Sequence, residues 1–181
     1  MQFYLLCLYI IVFEYGIITR AEDEPNFKLI LDEIIPVKED EEVGKIKVEV
    51  IESEDGVKIS GEAEQLVDLD NEWKVKLFLK IAEDANKDYN WVMPMPAMRV
   101  CDFMKFYYRL YIYESLVKYS NAPSPFICPV VNNTYILKDY PLVSNKFNEF
   151  LQPGYYQLEV SLLHEDEEKI KYIIEGHAEE E

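Results

Sequence analysis

The chain has 181 residues, with 35 acidic against 18 basic side chains and a formal net charge of −17. A charge of that sign and size repels phosphate backbones and anionic membrane surfaces, which excludes nucleic acid as a partner. Nearly half of the residues are apolar, enough for one domain with a sizeable core.

Phe3 to Phe13 is almost entirely apolar and is followed by Thr19-Arg20-Ala21. A run this short is no membrane span, which needs roughly 20 apolar residues. It fits the apolar core of a secretory signal. Cleavage is expected after Ala21, with Gly16 as the second choice, so residues 1–21 form a signal peptide and 22–181 a single domain, secreted and extracellular. The alternative is a buried N-terminal strand. Cys7 leaves with the leader, and Cys101 and Cys128 remain. In a secreted domain such a pair is most simply a disulfide. A free thiol pair or a metal site is the alternative, but the only histidines, His164 and His177, lie far downstream.

After an acidic arm (Glu22 to Pro25), Phe27 to Ile35 reads as a strand ended by Pro36. Lys45 to Ile51 alternates, with Ile46, Val48 and Val50 on one face. Glu54-Asp55-Gly56 is a hairpin signal, and Val57, Ile59, Gly61 and Ala63 continue the pattern. Residues 72–81 alternate most clearly. Trp73, Val75, Leu77, Leu79 and Ile81 face one way, while Lys74, Lys76, Phe78 and Lys80 face the other. The lysine stripe is expected to be solvated opposite acidic neighbours.

Pro94 and Pro96 punctuate the chain. From Asp102 to Lys118, Phe103, Phe106, Tyr107, Leu110, Tyr113 and Val117 recur at helical spacing, which favours an amphipathic helix. The many aromatics leave a strand open. Ser120 to Pro125 is a loop, Thr134 to Leu137 a short strand, and Phe147 to Gly154 a loop or partial turn. Tyr155 to Leu163 alternates, with Tyr156, Leu158, Val160 and Leu162 together. A charged turn follows, then a return strand through Ile170, Tyr172 and Ile174, and a solvated acidic tail from Ala178 to Glu181. Seven or eight short strands, one modest helix and one disulfide make an all-β fold, a two-sheet β-sandwich.

Met98-Arg-Val-Cys101-Asp-Phe, Ser120-Asn121, Cys128-Pro129 and Pro153-Gly-Tyr155-Tyr-Gln-Leu resemble an insect family of secreted proteins of unknown function. That family is related to the ML lipid-recognition superfamily, which includes the ganglioside activator protein, and the CheB-type chemosensory proteins of insects are the family's better-known branch. The resemblance covers Met98 to Leu163; residues 22–90 fit by strand pattern and position. It implies an immunoglobulin-like β-sandwich whose sheets part to hold an apolar ligand, with Cys101 and Cys128 as the family's cysteine pair. The family often carries a histidine shortly before the second cysteine. Here that stretch is Ser124-Pro125-Phe126-Ile127, so any function resting on the histidine would be absent.

No nucleophile elbow, zinc-protease helix or phosphate-binding glycine loop is present, so no catalytic residue is nominated. His164 and His177 read as solvated. The acidic clusters match no calcium-loop spacing, so neither a metal nor a cofactor is expected. Asn132-Asn133-Thr134 is an N-glycosylation acceptor sequence.

Trp73, Val75, Leu77, Leu79, Tyr156, Leu158, Val160 and Leu162 either fill a dry core or line a cavity. Residue patterns alone favour the core; the resemblance raises the cavity. Phe103, Phe106 and Leu110 are then candidates for its mouth or wall. The expectation is a secreted, non-enzymatic, monomeric carrier of a lipid-like or hydrocarbon ligand. By resemblance it would act in chemosensation and present a pheromone to a membrane receptor or channel. The alternative is an extracellular acidic interaction module with a closed core.

Overall fold

A computed structural model describes residues 27–53, 56–89, 91–141 and 152–180. The expected signal peptide and the acidic arm that follows it lie outside the described residues, as does most of the loop expected from Phe147. Eight strands are described: β1 (Phe27–Lys38), β2 (Gly44–Ser53), β3 (Gly56–Gln65), β4 (Trp73–Ala82), β5 (Trp91–Arg99), β6 (Asn133–Pro141), β7 (Gly154–His164) and β8 (Glu167–Glu180). One helix, 100–116, lies between β5 and β6 and is called α1. The strands form an antiparallel five-stranded sheet, β1-β8-β7-β4-β5, and an antiparallel three-stranded sheet, β2-β3-β6. This is the expected all-β architecture of two antiparallel sheets with one short helix and one disulfide.

Alternation sets the faces of the large sheet. Val75 lies opposite Leu162, Leu77 opposite Val160, Leu79 opposite Leu158, and Ile81 opposite Tyr156. β8 continues the rows with Ile170, Tyr172 and Ile174, and β1 adds Pro36 and Ile34. A two-residue turn joins β7 to β8, with Glu165 and Asp166 both at positive φ (51° and 63°). That backbone twist matches the strands it joins. At the other end of β7, Gly154 has φ +150°, and a Cβ there would stand 2.9 Å from the Ala82 carbonyl oxygen, so the close approach of β4 demands glycine.

Four sequence expectations need correction. Pro36 does not end its strand, and Pro94 and Pro96 do not break the chain but lie within β5. β1 and β5 are the two edges of the large sheet, where a missing N–H need not break a ladder. The expected acidic tail is instead the end of β8, where Ala178 pairs with Leu29 and is buried. The short strand at Thr134 extends to Pro141.

The helix was expected, and its buried face only in part: Phe103 and Tyr113 pack against the core, but its most buried residues lie elsewhere. Val100, Met104 and Tyr108 are buried, with Ile112 and Leu116 packed beside them, a spacing of four residues throughout. On an α-helix of 3.6 residues per turn, each such step drifts by about 40°. Over this length Leu116 would rotate away from the core. The segment Met104–Tyr113 therefore adopts a π-helix, flanked by α-helical Val100–Phe103 and Glu114–Leu116. Its wider turn keeps the five residues on one face. The spacing that nominated Phe103, Phe106, Tyr107, Leu110, Tyr113 and Val117 as one face assumed α-helical geometry, and of these Phe106, Leu110 and Val117 are exposed.

Candidate functional site

Six of the buried apolar residues gather at one end of the sandwich. Val43, Trp73, Val100, Met104, Tyr108 and Val130 form one cluster, with Val75, Leu162 and Ile170 of the large sheet and Tyr135 of β6 packed against it. The Tyr108 hydroxyl donates to the Pro123 carbonyl at 3.0 Å, which ties the following loop to the helix. Burial pushes the Tyr108 pKa up to about 12. The Cys101–Cys128 disulfide, with Cα atoms 5.8 Å apart, fastens the start of α1 to the end of that loop.

Away from this cluster the two apolar faces continue with less complete burial. Leu77, Leu79, Tyr156, Leu158, Val160 and Ile174 are only half-buried. On the small sheet, register places Ile46, Val48 and Val50 of β2 beside Ala63, Gly61 and Ile59 of β3, with Tyr135 and Leu137 of β6 beyond. Ile46, Val48 and Val50 are 40%, 36% and 43% exposed. A dry sandwich core would bury such residues almost completely. Tyr172 is an exception on the large sheet. It is buried and its hydroxyl donates to the Glu39 carboxylate, which together with desolvation raises its pKa above the usual tyrosine range. A groove of about 620 Å³ opens next to it, where β1 turns into β2. It is lined by the charged Lys38, Glu39, Glu41 and Lys45 together with Pro36, Val37 and Leu66.

The sequence-nominated residues divide accordingly. Trp73 belongs to the buried end cluster and stacks on His164, ring centroids 4.5 Å apart, so it is core. Val75, Leu162 and Phe103 pack against that cluster. Leu77, Leu79, Tyr156, Leu158 and Val160 are partly buried on the inner face, outside that cluster. Phe106 (59% exposed) and Leu110 stand on the outside of α1. Beside them the Arg109 guanidinium lies 5.8 Å from the ring centre of exposed Phe126. Asn132 is exposed, with its backbone N–H donating to Asp68 at 2.7 Å. Ile46, Val48, Val50, Leu137 and Ile174 were not nominated. Their alternation is visible in the sequence, but which sheet each faces is set by register between distant strands.

The outer face of the large sheet is a ladder of charges. Glu159 is held by Lys80 at 2.5 Å and Lys171 at 2.8 Å. Glu175 accepts from Lys87 at 2.6 Å and from Gln157 at 2.7 Å. These hydrogen bonds pull both carboxyl groups below the usual carboxylate range. The expected solvated lysine stripe is thus partly engaged by neighbouring acids. Both histidines also have partners, contrary to expectation. His164 stacks on Trp73, and His177 Nδ1 lies 2.8 Å from Asp32 Oδ1. Among the described residues no group of three or more His, Cys, Asp or Glu is placed to hold a metal ion. No helix among them is long and apolar enough to cross a membrane.

No curated protein matches the chain. A family match begins in β4, earlier than the resemblance at Met98 suggested, and runs through β5, α1, the disulfide and β6 into β7. Residues 74–158 match the family described as "Protein of unknown function (DUF1091)".

Proposed function

We propose that this protein is a secreted, non-enzymatic carrier that holds an apolar or amphipathic molecule between its two sheets. The observation that carries the reading is the unfinished interior. The end cluster is packed, whereas Leu77, Leu79, Leu158 and Val160 are only partly buried and the inward side chains of β2 are more than a third exposed. Burying a ligand against these faces would yield roughly 25 cal/mol per Å² of apolar surface before the costs of association. The groove at Pro36, Val37 and Leu66 borders the inner face through Pro36, the cross-strand partner of Tyr172, and supplies a route in. Its mixed charged and apolar lining suits a ligand with an apolar body and a polar end. The disulfide supports an oxidising compartment. Presentation of a pheromone-like hydrocarbon to a receptor or channel is the setting that the resemblance suggests.

The test is titration with a naphthylamine probe whose fluorescence rises in apolar surroundings. Saturable binding is expected, competed by long-chain lipids and lost on Val160→Trp, which fills the space, while the melting temperature is kept. Binding that is unchanged in Val160→Trp would refute the site.

A further inference from the structure

The two sheets have four edge strands, and three of them are guarded. β1 carries Pro36 and two register shifts, and β5 carries Pro94, Pro96 and one register shift. β6 has a register shift against β3, ends in Pro141, and is approached on its outer side by Ser120, which bridges Leu137. These are the ordinary devices that stop a sheet from pairing with another chain. β2 has none of them. It is ten residues long, without proline, and pairs with β3 in unbroken register from Gly44↔Gln65 to Ser53↔Gly56. Among the described residues its other side meets no strand. Ile46, Val48, Val50 and Ile51 are all at least 36% exposed.

Charge order within β2 names the occupant. Lys45 and Lys47 stand in its first half, and Glu49 and Glu52 in its second. An antiparallel second copy reverses that order. We propose that β2 pairs with β2 of a second copy about a two-fold axis through Val48. Lys47 then lies opposite Glu49 of the other copy, twice by symmetry, and Ile46 lies opposite Val50, also twice. Such opposite-charge and β-branched pairs are the favourable units of a sheet. The neighbouring registers that keep apolar faces aligned are centred on Lys47 or on Glu49, and each sets a like-charged pair face to face. One register is therefore selected, and a lysine that would blunt the edge is answered by an acid. The result is a six-stranded sheet with both β2 strands at its centre and the inner faces of both copies on one side, a closed isologous dimer. This replaces the monomer expected from the sequence and stands independently of ligand binding.

Sedimentation equilibrium at physiological salt, where the net charge is screened beyond about 8 Å, tests the proposal. The unmodified protein is expected at the mass of two chains. Lys47→Glu alone and Glu49→Lys alone are each expected at the mass of one chain, because each places like charges in both pairs. Mixing these two variants is expected to restore the dimer, since every Glu then meets a Lys, and so is the double exchange within one chain. Val48→Cys is expected to give an intermolecular disulfide without reductant, and it decides the question if either charge variant fails to fold. A monomeric unmodified protein, a dimer indifferent to the single exchanges, single variants that stay apart when mixed, or Val48→Cys without the cross-link would each overturn the proposal.

Discussion

Valine to threonine is a nearly isosteric change that keeps the β-branch, so its cost reports whether a hydroxyl at that site reaches water. Val130 is 5% exposed inside the end cluster, whereas Val48 is 36% exposed on the inner face of β2. A hydroxyl buried without a hydrogen-bond partner costs about 1–3 kcal/mol. Val130→Thr should lose that amount, and in a chain of this size each kcal/mol lowers the melting temperature by roughly 2–4 °C. Val48→Thr leaves its hydroxyl in contact with solvent, and its cost should stay within about 0.5 kcal/mol. Urea unfolding of the two variants side by side measures the difference. The same Val48→Thr change should weaken binding of an apolar probe, because it lowers the apolarity of the wall without altering its shape. Equal destabilisation by the two changes would refute the reasoning, since it would mean that the space between the sheets is as dry and filled as the end cluster.

Replacing Cys101 and Cys128 together by serine should cost about 3.5 kcal/mol, the loop-closure entropy for a separation of 27 residues; denaturation of the variant against the oxidised parent measures it. Glu159 and Glu175 have depressed pKa values in the fold, so their contribution is complete above the ordinary carboxylate pKa of 4.5 and is lost as pH falls through their lower folded values. Glu159→Gln should therefore flatten the acid side of the melting-temperature profile and lower stability at neutral pH. Tyr108→Phe removes the hydrogen bond to Pro123 and should cost about 1 kcal/mol. Because the Tyr108 pKa is raised to about 12, its contribution persists below the usual tyrosine pKa of 10.0 and is lost as pH rises through 12. The ultraviolet difference titration between parent and variant should show one tyrosine ionising late.

Period-two alternation made β2, β3, β4, β7 and most of β8 legible, because a half-buried strand must alternate whatever its neighbours are. Alternation also placed Leu77, Leu79, Leu158 and Val160 on one face. Three features were not legible, each for a physical reason. Proline in β1 and β5 is tolerated only because those strands lie at edges, and edge position is a property of the whole sheet. The face of α1 depended on a π-helical turn, and a four-residue spacing of buried side chains becomes evident only once burial is known. Whether the apolar faces meet is a matter of the distance and register between sheets, which local pattern does not encode. Trp73 and Leu79 share one face of β4, yet one lies in the packed cluster and the other is only partly buried outside it.

The central claim is that an apolar molecule lies between the sheets, and intermolecular nuclear Overhauser effects from methyl-labelled protein to a bound naphthylamine probe test it most directly. The account predicts contacts to Leu77, Leu79, Leu158 and Val160 on the large sheet together with Ile46, Val48 and Val50 on the small one. Contacts confined to the outer surface of α1, around Leu110, would contradict it.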